Sequence, residues 1–203
     1  MINNEMKAMG SPPKAAGRPR DRRIDGAVLA ATRDLLVSEG YSGVSLAAVA
    51  TQAGTTTPAI YRRWPTKAHL VHEAAFPADL ASGEESTGDV RSDVEALVRA
   101  AAVLFSDPVV RAALPGLIGD LPQHPGLHSQ LMGGVWGARI QELQHTLDRA
   151  AERELIRPGL RAEHLLGVIG GSALLGVLTP SGQELDSAWV TATTTLLLEG
   201  ITS

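Results

Sequence analysis

The chain has 203 residues, no cysteine and only 3% aromatic residues, and its formal net charge is -4. That length supports one sizeable core plus a smaller module, while the missing cysteines exclude disulfides and thiolate metal sites. Ala, Leu, Val and Gly dominate, and no long run alternates with period two, which predicts an all-α fold.

The charge is divided unevenly. Residues 1–75 carry ten Lys and Arg against six acids, and the remainder eight against sixteen. A basic end on an acidic chain predicts a localised contact with a polyanion. The longest apolar stretch, 165–178, has 14 residues, short of the roughly 20 that a membrane span needs. Residues 1–11 lack the apolar core of a secretory signal. A soluble cytoplasmic protein with no membrane partner is expected.

Residues 1–23 are polar and rich in Pro, Gly and basic side chains, and read as a flexible arm. Within it, Arg18 and Arg20 flank Pro19 in a narrow, extended segment that suits a minor groove, where negative potential is focused. An ordinary basic tail has the same composition. Ile24, Ala27, Val28, Ala31 and Leu35 then predict an amphipathic helix ending near Gly40.

Residues 45–64, SLAAVATQAGTTTPAIYRRW, carry the densest signal. Leu46, Val49, Ala50 and Ala53 form one apolar stripe behind an N-cap at Ser45. Gly54 follows where a helix must stop in a left-handed conformation, and Ile60 is placed to plug the angle between two helices. Thr57 as N-cap and Pro58 at the first helical position open the second helix, which runs to Trp64 before Pro65. This is the helix-turn-helix pattern.

A pair this short needs the first helix to complete its core, predicted as Ile24, Val28, Leu35, Leu46, Val49, Ile60 and Trp64. That leaves Thr55, Thr56, Thr57, Ala59, Tyr61, Arg62 and Arg63 outside. Hydroxyls, guanidinium groups and a small methyl suit base edges in a major groove. Ser45 and the free amides behind it can hold a phosphate, and Lys67, opening a fourth helix capped by Thr66, adds a cation near the same backbone. Taken singly, Tyr61 could instead pack in the core and Arg62-Arg63 could form a solvated face.

The fourth helix is expected to reach about residue 80. The segment 82–88, SGEESTG, reads as a linker, dividing the chain into the arm 1–23, a helix-turn-helix domain 24–80 and a second domain 81–203. Helices there are expected at 90–105, 108–121, 126–156, 162–178 and 185–201, about nine in all. The helix over 165–178 is apolar nearly all round and must be buried; Val190, Leu196, Leu197, Leu198 and Ile201 give a second apolar face. One monomer covers one such stripe more readily than two, so a twofold homodimer through the last two helices is expected, with a purely intramolecular core as the alternative.

Phe105, Leu114, Leu117, Leu121, Leu131, Met132 and Trp136 are candidates to line a cavity for a small apolar or amphipathic effector, with His124, His128, Gln130 and Arg139 as polar neighbours. Ordinary core packing accounts for the apolar set equally well. Pro125 and Gly126 break the helix that would align the two histidines, so no metal is expected. No nucleophile elbow, phosphate-binding loop or dinucleotide fingerprint occurs, so neither enzyme activity nor a cofactor is expected.

From about Arg23 to Phe76 the sequence resembles the tetracycline-repressor (TetR) family of transcription regulators. The carrying residues are Ala27, Leu35, Gly40, Ser45, Val49, Ala50, Ala53, Gly54, the run from Ala59 through Ile60, Tyr61, Arg62 and Arg63 to Trp64, then Lys67 and Leu70. Trp64 stands where the family usually has Phe. The resemblance implies phosphate contacts from Ser45, Tyr61 and Lys67 and base contacts near Thr56, Thr57, Ala59 and Arg62. It also implies a four-helix dimer interface and a repressor of a palindromic DNA operator that an effector releases.

Overall fold

Val28, Ala31, Leu35 and Leu36 recur at helical spacing and face inward from α1 (Arg22–Gly43). Gly40 interrupts this helix at φ 68°, a left-handed value open to glycine at no steric cost. Ser45 then caps α2 (Leu46–Gln52), its Oγ accepting from the Ala48 amide at 3.2 Å. Gly54, at φ 63°, closes that helix in a Schellman turn: the Thr55 amide donates to Ala50 O at 2.9 Å and the Gly54 amide to Thr51 O at 3.3 Å. The expected stop is therefore present.

The second helix of the pair differs from expectation. Thr56, not Thr57, is the N-cap of α3 (Thr57–Tyr61), with extended backbone at φ -116° and ψ 146°. Pro58 becomes the second helical residue. Every amide of a first turn lacks an intrahelical acceptor, so proline fits either register and sequence alone does not separate them. The helix also ends earlier, with Arg62 as its C-cap, and Trp64 is held beyond it by its amide donating to Ile60 O at 2.9 Å.

Thr66 caps α4 (Lys67–Ala75). That helix stops before residue 80 because Phe76 leaves helical geometry, at φ -125° and ψ 67°, ahead of Pro77. Inside α4, His72 stacks on Phe76 at 5.5 Å and its Nε2 is buried with no hydrogen-bond partner.

The computed structural model describes residues 22–77, 86–124, 126, 137–179 and 184–201. Arg18, Arg20, His128, Met132 and Trp136 lie outside them, as does the side chain of Leu121. The remaining helices are α5 (Val90–Ser106), α6 (Pro108–Asp120), α7 (Gly137–Glu152), α8 (Ala162–Leu178) and α9 (Ser187–Ile201), making nine α-helices among the described residues. Helix α7 stops short of the expected residue 156, since Glu154 takes φ 57° and the Leu155 amide turns back to Ala150 O.

Part of the expected linker is built into the second domain. Ser86 Oγ and Thr87 N and Oγ1 donate to the buried Asp93 carboxylate near the start of α5. Burial alone would raise the Asp93 pKa, but the hydrogen bonds from Ser86, Thr87 and Gly88 outweigh it and hold the carboxyl below its usual value.

Two apolar cores result. The first joins α1 to α4 with Val109, Ala113 and Leu117 of α6; the second joins α5, α7, α8 and α9. Helix α6 leaves α5 at 83°, its first amides at Val109 and Val110 taken by Asp107 Oδ1. A helix from the second half of the chain thus completes the core of the first. Among the described residues, no single helix is long and apolar enough to cross a membrane.

Two outcomes follow for stability. Ile60 is 1% exposed and Tyr61 53%, so Ile60→Ala should cost about 2–4 kcal/mol and Tyr61→Ala within about 0.5 kcal/mol, read from denaturant unfolding. For His72, burial first and the neighbouring His69 second hold the imidazole pKa below 6.5. The native state then binds fewer protons than the unfolded chain, so this contribution is intact above pH 6.5 and declines below it. His72→Gln should flatten the loss of melting temperature between about pH 7 and pH 5.

Candidate nucleic-acid interface

Tyr61 at the end of α3 and Arg62, its C-cap, are exposed, while Ile60 between them and Ala59 is sunk in the first core. Successive helical residues are about 100° apart, so burying Ile60 turns Arg62 and Pro58 outward together. Thr56 is exposed and its hydroxyl makes no capping bond, which leaves it free to meet another partner. Thr57 and Ala59 are half-buried at the base of this surface. Ser45 is exposed; its oxygen accepts from Ala48, and the hydroxyl proton remains available.

The support beneath this surface is polar as well as apolar. Gln52 Nε2 donates to Asp34 Oδ2 at 3.1 Å, tying α2 to α1. The buried Trp64 donates through Nε1 to Glu73 Oε2 at 2.7 Å, tying the end of the α3 segment to α4. Arg63 is not a free surface cation. Its guanidinium lies against Asp25 of α1, paired by proximity of charge rather than hydrogen-bond geometry, and donates through Nη1 to Ala59 O at 3.5 Å.

Lys67 is also engaged. Its ammonium stands 4.3 Å from the ring centroid of Tyr41, whose hydroxyl donates to Asp120 Oδ2. Burial lowers the Lys67 pKa, and the Asp120 charge opposes that. Asp25, Tyr41, Glu73 and Asp120 were not anticipated from sequence. They act across 38, 26, 9 and 53 positions from the residues they hold (Arg63, Lys67, Trp64 and Lys67), and no local periodicity marks such pairs.

Of the candidate effector residues, only Phe105, Leu114, Leu117 and His124 have described side chains. Phe105 packs in the second core and Leu117 in the first. His124 lies edge-on to His69 of α4, ring centroids 5.9 Å apart. A cleft of about 200 Å³ opens between α5 and α7 beside Ser86, lined by Asp93, Glu95, Leu97, Arg99, Glu142 and Leu143 among others; among the described residues, none of the expected pocket residues lines it. It is smaller and more polar than a usual effector cavity.

Residues 84–197 match the family model described as the C-terminal domain of tetracyclin repressor-like proteins, and residues 28–74 match that of bacterial regulatory proteins of the tetR family. An uncharacterised HTH-type transcriptional regulator of Mycobacterium bovis is 26% identical over 182 residues, covering 85% of this chain and 87% of its own. The DNA-binding transcriptional repressor TetR of Mycobacteroides abscessus is 32% identical over 136 residues, 66% of this chain and 60% of that protein. The crystal structure of a TetR family transcription regulator aligns with a TM-score of 0.62 at 28% identity, covering 89% of this chain and 100% of that one.

Proposed function

The chain belongs to the tetracycline-repressor family of transcriptional regulators, and from that premise we propose that it is a repressor acting as a homodimer on a palindromic operator, released by a small apolar or amphipathic effector. It is a DNA-binding helix-turn-helix regulator and not an enzyme. The observation carrying the DNA reading is the opposition on α3 between Ile60, locked in the core, and exposed Tyr61 and Arg62. In this reading α3 enters the major groove, with Thr56, Thr57, Ala59 and Arg62 towards base edges and Ser45, Tyr61 and Lys67 on phosphates. Arg63 would reach DNA only by leaving Asp25. Arg18 and Arg20 are assigned to the adjacent minor groove.

The dimer reading rests on exposed apolar surface. Val168, Leu175 and Leu178 stand 55%, 62% and 45% exposed on one stripe of α8, with Leu196 71% exposed on α9. Within one chain α8 is buried on one side, along Ala162, Leu165, Ile169 and Ala173. The other side is open, and so are Gly167, Gly170 and Gly171, where an added Cβ would meet nothing within 4 Å. A second copy covering that stripe would present two α3 helices to two half-sites. The Mycobacteroides relative is named a repressor, which supports the sign of the output. The chain is assigned to the cytoplasm, where its DNA would lie. Release by an effector requires tighter binding to a state with altered head separation, about 1.4 kcal/mol of difference per tenfold loss of operator affinity.

Two measurements test this reading. On a duplex enriched by the wild-type protein from a random pool, Arg62→Ala should lose about 1–3 kcal/mol of affinity with an unchanged melting temperature; enrichment failing, or binding unaltered, overturns the DNA reading. Leu175→Glu should sediment as a monomer and lose operator affinity. A dimer that persists in that variant removes this face from the interface.

A further inference from the structure

One cluster at the base of the DNA-reading domain is not explained by groove contacts. It forms where the end of α1, the start of α4 and the last turns of α6 meet. The Tyr41 ring lies so close over Gly116 of α6 that a Cβ there would overlap it. The Tyr41 hydroxyl donates to Asp120 Oδ2, and the Lys67 ammonium sits 4.3 Å from the ring centroid. Pro115 inside α6, next to Gly116, removes one backbone hydrogen bond from that helix. The cluster therefore lies just after the point where α6 lacks one of its own backbone hydrogen bonds.

Each contact has a physical consequence for Lys67. The ring face carries negative potential and holds an ammonium in place while leaving its protons available. The Asp120 carboxylate attracts the same ammonium and competes with any phosphate for it. Its strength as a competitor is reduced because the Tyr41 hydroxyl already occupies one of its oxygens. Burial, then the Asp120 hydrogen bond, then the Asp120 charge keep the Tyr41 phenol protonated well beyond its usual range, so it remains a donor.

We propose that Tyr41 and Asp120 are positioning residues for Lys67, the ring placing its ammonium at the start of α4 and the carboxylate at the end of α6 setting how strongly that cation is given to a DNA phosphate. The inference rests on the reading that Lys67 touches phosphate. It makes the end of α6, which packs on both α1 and α4, a control point: any shift that brings Asp120 nearer Lys67 weakens DNA binding, and any shift that withdraws it strengthens binding.

The test is fluorescence anisotropy with a mixed-sequence duplex of about 30 base pairs at low salt, using the full chain. Asp120→Asn should bind about two- to fivefold tighter and Tyr41→Phe about two- to fivefold weaker, since the first removes the competitor and the second unmasks it. Both effects should vanish when combined with Lys67→Ala, which should itself lower the salt slope by about 0.9 per protomer. Shifts of the same sign, absent shifts, or shifts that persist without Lys67 overturn the proposal while the phosphate contact stands. An unchanged affinity and slope for Lys67→Ala overturn both. Should either variant melt early, NMR of the wild-type protein decides between the same outcomes. The Lys67 ε-methylene protons should be shifted upfield by the Tyr41 ring and move on adding the duplex, and protons that do neither overturn the proposal.

Discussion

A helix of five residues has almost no stability of its own, because it pays the nucleation cost and gains few hydrogen bonds in return. That α3 exists at all depends on Ile60, buried in the first core, and on Trp64, buried and bonded to Glu73 just beyond the helix. With the two anchors four residues apart, α3 has little freedom to rotate or slide. Tyr61 and Arg62 stay exposed for the same reason that Ile60 stays buried. Pre-setting the reading surface in this way spares the protein the cost of ordering it when it binds.

The two cores are not independent, because α6 contributes to the first while following directly from α5 of the second. Asp107 is the corner, closing α5, capping α6 and facing Arg33 of α1 at 3.9 Å. Arg33 also donates to Ala74 O at the end of α4 at 2.9 Å. Contacts thus run from the α5–α6 corner to both ends of α4, through Arg33 at one and through Tyr41 and Asp120 at the other. Close-packed contacts of this kind shift between discrete arrangements more readily than they deform continuously.

The second core leaves a different mark. Helix α8 packs on α5 through one side and presents Val168, Leu175 and Leu178 to solvent on the other. Half-exposed side chains of that size forgo about 1 kcal/mol or more of burial each, and they form the surface on which the proposed dimer rests. Gly167, Gly170 and Gly171 beside them leave the helix backbone uncovered there.

Much of this protein is legible in local pattern. The helix-turn-helix, its glycine stop, its core and the bounds of α5, α6 and α8 all follow from spacings of three and four and from caps within a few residues of what they cap. Registers of one residue, such as Thr56 against Thr57, were beyond reach because proline and threonine satisfy both. So were the pairings of Asp25 with Arg63, of Tyr41 with Lys67 and Asp120, and the assignment of α6 to the first core. These contacts join residues distant along the chain, and their geometry arises only once helices have docked and charged groups have found the partners that packing left within reach.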